Sequence, residues 1–226
     1  MEENKMNYKY IILDFGKVIA APTNENWDIT PKLLELIDIN KIDINKFKEL
    51  KKEYRSILSE KITTLEEEYN MFIRFYEPIL KKFGYSKDIA EEIAYDRTYN
   101  FDKYTLYDNI QAELKSLSER YRLILLTDNW PCVINYLKEY NLYDYFDKIY
   151  ISSLYGVEKK DKKLFDYPIN ELNIKKGEAL FIDDNKSNLD IAKEKGLDVM
   201  LMDRENIIKD SKYKIINNLN IIKKSI

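Results

Sequence analysis

The chain has 226 residues, 45% of them hydrophobic, enough for one large domain or a domain carrying an insert. Its 37 Lys and Arg against 40 Asp and Glu leave a formal net charge of -3, so no global field points to nucleic acid or to an anionic membrane. The absence of histidine and the single cysteine, Cys132, exclude Ser-His-Asp and Cys-His catalysis, histidine-ligated zinc and an internal disulfide. With no long apolar span and no secretory pattern, a soluble, reduced, cytoplasmic protein is expected.

In chain order, the first strong signal is the run Tyr10-Ile11-Ile12-Leu13, which ends in Asp14-Phe15-Gly16-Lys17-Val18-Ile19. A short apolar run closed by a turn signal reads as a buried parallel strand, here over 9–14. Residues 31–119 then offer no strand of similar strength. Amphipathic helices are expected near 31–38, 44–58, 63–83 and 86–97, and a further one near 108–119 leads back to the sheet. In the second of these, Ile44, Phe47, Leu50, Lys51, Tyr54 and Leu58 keep the spacing of a buried face. Thr63 or Thr64 ahead of glutamates marks a capping-box start. Tyr69, Phe72, Phe75 and Tyr76 read as bundle core. Strands follow near 122–127, 148–152, 178–182 and 198–202, alternating with helices over 131–140, 161–173 and 186–195. Such alternation predicts an α/β fold: a Rossmann-like parallel sheet built from right-handed crossovers. The expected organisation is a core of 1–20 and 101–226 with an inserted all-helical cap subdomain at 21–100, and an ordered extension from Asp210 onward.

Three strands end in polar chemistry: at Asp14, at Thr127-Asp128-Asn129, and at Asp183-Asp184-Asn185. Open parallel sheets hold their ligands at the carboxyl ends of the strands, so these groups converge on one pocket. Asp14 alone is a weak signal, since a strand-end aspartate more often only caps a turn; the functional reading makes it a carboxylate nucleophile that also coordinates a cation. Gly16 lets the chain turn sharply and could turn its carbonyl toward a metal. Adjacent carboxylates such as Asp183 and Asp184 repel each other unless a cation compensates them, and a hard oxygen donor set suits Mg2+. Thr127 with the N–H groups beside it can bind an anion, cap the helix opened by Pro131, or do both. Asn188 is placed to brace the Asp183–Asp184 loop, and Asp190 to face solvent. Lys159, taken alone, reads as a surface lysine.

In this order the elements resemble the haloacid dehalogenase superfamily, in particular its phosphatase-like members. Asp14-Phe15-Gly16-Lys17-Val18-Ile19 fits the Asp-x-Gly form of the first motif and Thr127 ends the second. Gly156-Val157-Glu158-Lys159-Lys160-Asp161 through Phe165 echoes the third. Phe181-Ile182-Asp183-Asp184 through Asn188, then Ala192 and Gly196, meets the fourth. The resemblance implies a hydrolase of small phosphorylated metabolites in which Asp14 attacks phosphorus. Thr127 and the N–H groups of Asp128 and Asn129 hold phosphate oxygens, and Lys159 neutralises their charge. Mg2+ sits among Asp14, the Gly16 carbonyl and Asp184, with Asp183 in support. No nucleic acid or membrane partner is implied; a monomer or homodimer is expected.

Three departures stand out. Gly16 occupies the position where related phosphatases carry a general acid, whose loss costs ~10²–10⁴ in rate. Good leaving groups such as sugar 1-phosphates suffer least. Lys17 replaces Gly or Asn, with strain if that position is left-handed. Lys160 replaces a proline, which could loosen the Lys159 loop. A binding or regulatory protein with a decayed site is the alternative reading. A carbon–halogen hydrolase, which shares the missing acid but not the paired aspartates, is less favoured.

Overall fold

The structure, a computed structural model, describes residues 8–225. Its centre is β1 (Tyr10–Leu13), four residues that are all buried, as expected for an apolar strand covered on both faces. The chain turns into β2 (Ala20–Pro22) and then runs through α1 (Pro31–Leu36), α2 (Ile44–Glu53), α3 (Leu65–Lys81) and α4 (Lys87–Tyr99) before β3 (Tyr104–Leu106). It continues as α5 (Ile110–Ser118), β4 (Arg122–Thr127), α6 (Cys132–Glu139), β5 (Phe146–Ile151), α7 (Ser152–Tyr155) and α8 (Lys163–Glu171). The last elements are β6 (Ala179–Asp183), α9 (Lys186–Glu194), β7 (Asp198–Met202), β8 (Ile215–Ile216) and α10 (Asn220–Ser225).

Six strands form one parallel sheet in the order β5-β4-β1-β6-β7-β8. Leu13 lies opposite both Leu125 and Ile182, so β1, β4 and β6 end almost level and deliver Asp14, Thr127 and Asp183 to the same edge. One apolar cluster joins a sheet face to Leu114, Val133 and Leu219; the other joins the opposite face to Leu164, Phe165 and Leu189. This is the Rossmann-like α/β fold expected from the alternation of strands and helices.

The helices between β2 and β3 have a separate apolar cluster, which includes Leu33, Leu50, Phe72, Ile79 and Ile93. Thr64 begins α3 with a reciprocal capping box to Glu67, in agreement with the sequence. The ribbon of β2 with β3, antiparallel from Ala20 opposite Leu106 to Pro22 opposite Tyr104, was not expected, because three-residue strands are too short to show alternation. The expected helix at 44–58 breaks at Tyr54 into a 3-10 turn over Arg55–Ser59, and Ile44 is exposed rather than part of a buried face. Residues 161–173 also divide. Lys162 adopts a left-handed φ of 61°, so a 3-10 turn over Lys159–Asp161 precedes α8.

Glu68 on α3 is fully buried and accepts a hydrogen bond from the backbone N–H of Cys132, the first residue of α6, at 2.8 Å. A carboxylate there answers an unsatisfied helix N-terminus. Burial pushes Glu68 up to about 7, opposed by Lys103. Glu68→Ala should lower stability by about 2 kcal/mol at pH 5, read from urea denaturation, and by less at pH 8, because the contribution of a raised carboxyl is lost as pH rises through about 7.

Candidate active site

Asp14 follows β1 directly, and its N–H still donates to the Ile182 carbonyl at 3.0 Å, which fixes the backbone at the strand tip. The chain then folds back through Phe15 and Gly16, with Ile19 N–H donating to the Phe15 carbonyl at 2.9 Å and Lys17 N–H to that of Ala20 at 2.7 Å. Lys17 sits at φ 53°, so the strained case considered for this position is the one found. Lys17→Gly should recover up to about 1 kcal/mol, because relief of left-handed strain exceeds the entropy added to the unfolded chain. Equilibrium denaturation measures it.

Lys159 is the hinge of the site. Only 2% exposed, its ammonium lies 2.8 Å from Asp14 Oδ1 and 2.7 Å from Asp183 Oδ2, while its backbone N–H donates to Asp128 Oδ1 at 2.9 Å. Both ends of the residue are held, and Glu158 and Asp161 close a capping box around its turn, so Lys160 in place of proline leaves the loop anchored. Burial disfavours the ammonium, but Asp14, Asp183 and Asp128 outweigh it and hold the Lys159 pKa above the usual lysine value.

Asp183 is completely buried. It accepts from the Lys159 ammonium, from the Asn188 side-chain amide at 2.9 Å and from the Asn185 N–H at 2.8 Å. Asn188 therefore braces this loop as expected. Asp190, expected in solvent, is partly covered and pairs with Lys212 and Tyr213. One carboxylate oxygen from each of Asp14, Asp183 and Asp184 lies within 4.8 Å of the others. Burial, with Asp183 adding repulsion and Lys159 opposing it, pushes Asp14 up to about 7. Burial and Asp183 push Asp184 up to about 6, with Lys17 and Lys159 working the other way. Lys159 and Lys17 together do not balance the three carboxylates. An all-carboxylate oxygen set with excess negative charge fits a hard divalent cation such as Mg2+.

Thr127, 2% exposed, ends β4 and lines the same cavity of about 260 Å³ as Asp14, Gly16, Lys159 and Asp184. It does not cap α6: that helix starts at Cys132, whose N–H is taken by Glu68, and Pro131 before it has no side-chain bond to give. Asp128 and Asn129 also line the cavity. The Asn129 N–H, expected to face a phosphate oxygen, instead donates to Ser152 Oγ at 3.1 Å, and that hydroxyl returns a bond to the Asn129 carbonyl at 3.3 Å. Ser152 thus fixes the loop after β4, a role that only its place at the end of β5 could have signalled. Sequence reasoning also missed Arg97 and Tyr104 as cavity-lining groups: Arg97 ends an expected helix and Tyr104 falls between expected helices, and neither shows its place until the helices are docked on the sheet.

A Rossmann-like sheet that presents Asp14, Thr127, a buried lysine and an aspartate pair at one edge defines an α/β protein with an acidic strand-tip pocket. Residues 33–202 match the family described as haloacid dehalogenase-like hydrolase, a stretch that includes Thr127, Lys159, Asp183 and Asp184, with Asp14 ahead of it. The chain belongs to this hydrolase family. Among curated proteins it is 34% identical over 89 residues to D-ribitol-5-phosphate phosphatase of Bacteroides thetaiotaomicron, a match covering 36% of this chain and 43% of that protein. Two solved structures share the fold. The HAD-hydrolase YfnB of Bacillus subtilis, crystallised with magnesium, superposes with a TM-score of 0.67 at 19% identity, covering 96% of this chain and 98% of that one. The 2-haloacid dehalogenase of Pseudomonas syringae pv. Tomato DC3000 does so with 0.67 at 16% identity, covering 96% and 97%.

Proposed function

We propose that the chain is a Mg2+-dependent phosphomonoesterase that acts on small phosphorylated metabolites with Asp14 as nucleophile, residues 21–100 serving as the cap over its site. The observation that carries this reading is the buried Lys159, ion-paired at once with Asp14 and Asp183, two of a cluster of three carboxylates. Phosphoryl transfer needs positioning and charge neutralisation more than elaborate covalent machinery, and these groups supply both. Asp14, Asp183, Asp184 and the Gly16 carbonyl would hold the metal, whose chemistry is to screen phosphate charge from the attacking carboxylate. Thr127 donates its hydroxyl to a phosphate oxygen, and the Asp128 N–H serves the same group. Lys159 holds Asp14 in place and meets the negative charge of the phosphoryl group. The Asp14 carboxylate attacks phosphorus, the ester oxygen leaves with its electron pair, and water then cleaves the aspartyl-phosphate to release inorganic phosphate.

The phosphatase relative supports the reaction class, and the paired aspartates favour it over carbon–halogen hydrolysis, which needs no cation. A panel of sugar phosphates, nucleotides and acyl phosphates, assayed with Mg2+ and with EDTA, tests the proposal. Hydrolysis that disappears on chelation is expected. Halide release from 2-haloacids that persists in EDTA, with no phosphate release, would overturn it.

A further inference from the structure

Arg204 takes no part in the chemistry above, yet all three of its side-chain nitrogens are bonded within the fold. It follows the end of β7. Asp183 lies opposite Leu201 in the parallel register, so this loop emerges beside the aspartate pair. Asp203 fixes the loop by accepting from the N–H groups of Ile207 and Ile208 at 3.2 Å and 2.7 Å. The Arg204 side chain is 5% exposed and makes a two-pronged ion pair with Glu113 of α5, itself 4% exposed, at 2.8 Å and 3.2 Å. Its guanidinium lies over the Tyr107 ring at 5.1 Å.

What this pair grips is the turn after the candidate nucleophile. Arg204 Nη2 and Nε both donate to the Val18 carbonyl, at 2.8 Å and 3.1 Å. Tyr107 adds its N–H to the Ile19 carbonyl at 3.3 Å. The same turn holds Gly16 and the left-handed Lys17. Lys17 and Asp184 line the main cavity and also a smaller one of about 150 Å³ that is walled by Arg204 and Tyr107. The two residues thus stand between the Arg204 side and the carboxylate cluster. A buried ion pair adds little net stability over a well-packed apolar replacement, so stability alone does not account for this one. A lysine in the left-handed region is a cost that surrounding contacts must offset. Val18 is where the two features meet.

We infer that Arg204 is a positioning residue for the metal site. It holds the strained turn at 16–18 in the shape that presents the Gly16 carbonyl to the cation, an inference that rests on the Mg2+ reading above. Without Arg204 the turn relaxes toward ordinary backbone angles, and Mg2+ has to restore the strained shape as it binds. That cost is subtracted from its affinity. Glu113 orients the guanidinium and answers its charge, so Arg204 stands beside the site without taking the cation's place.

Calorimetric titration of the metal-free protein with MgCl2 tests this. Arg204→Met should weaken Mg2+ binding about tenfold, the scale of one residue's left-handed strain and the lower end of what supporting contacts contribute to metal affinity. Arg204→Lys keeps a cation for Glu113 and so reads the effect with the ion pair retained. One ammonium does not reproduce the planar fork that bridges Glu113 and Val18, and Mg2+ affinity should still fall. Lys17→Gly removes the strain, so in that background the cost of Arg204→Met should shrink to about twofold or less. Leu117→Ala, a core truncation on the same helix as Glu113, should lower the melting temperature and leave Mg2+ affinity unchanged. Arg204 variants that bind Mg2+ as tightly as the parent would overturn the inference while leaving the metal reading intact. So would an equal loss in Leu117→Ala, or an undiminished cost of Arg204→Met beside Lys17→Gly. No Mg2+ binding by the unaltered protein would overturn both.

Discussion

Asp14→Asn is expected to abolish phosphate release, with a fall of about 10⁴-fold or more in kcat, the scale seen when a covalent nucleophile is removed from a site that otherwise still binds. An amide keeps the shape and hydrogen-bonding size of the carboxylate but cannot attack phosphorus. Its effect on the fold has the opposite sign. Burial first, then Asp183, raises the Asp14 carboxyl to about 7, whereas its ordinary value is 3.8. The folded protein therefore holds a proton there that the unfolded chain has released. That contribution is fully present below about 3.8 and is lost as pH rises through about 7. The metal-free protein should thus lose stability across this window, and Asp14→Asn should lose less of it. A set of urea denaturation curves from pH 4.5 to pH 8 in EDTA reads the difference. A variant that is as active as its parent would remove Asp14 from the chemistry.

Lys159→Met is the second large effect, and it strikes fold and function together. Removing one member of a buried ion pair leaves uncompensated charge, at a cost of about 3–5 kcal/mol. Here one ammonium serves Asp14 and Asp183 at 2.8 Å and 2.7 Å, with both carboxylates buried, so the upper part of that range is expected. Loss of a preorganised cation facing the phosphoryl group should also lower kcat by at least about 10²-fold. Mg2+ should restore more of the lost melting temperature in this variant than in the parent, because it takes over the compensation of the same oxygens. A variant melting with its parent in EDTA would show that the lysine does not hold these acids together.

Much of the architecture was legible because it rests on local signals. β1, β4 and β6 are apolar runs each ended by a polar residue, and the parallel register then places Asp14, Thr127 and Asp183 side by side. The Thr64 capping box needs only four residues to declare itself. What failed to show depended on contacts distant in sequence. Arg97 and Tyr104 reach the cavity only once the helices from α1 to α4 lie over the sheet edge. The Trp27 indole against Gly16, or an arginine over Phe72 at 4.7 Å, has no signature in spacing. Lys159 was recoverable only from its motif, since a lysine in a lysine-rich loop otherwise reads as surface. The resemblance assigned the Asn129 N–H to a phosphate oxygen. Ser152, from the neighbouring strand end, takes it instead. Ile44 kept the spacing of a buried face but opens its helix at the N-terminal end, where it is exposed.

The central claim is that the carboxylate of Asp14 becomes phosphorylated during turnover. Mixing the protein with Mg2+ and a hydrolysed phosphomonoester, quenching in acid within milliseconds and mapping peptides by mass spectrometry tests it most directly. A phosphoryl adduct on the peptide containing Asp14, absent in Asp14→Asn and in EDTA, is the predicted result. Steady release of phosphate with no adduct, at a rate that Asp14→Asn leaves intact, would contradict it.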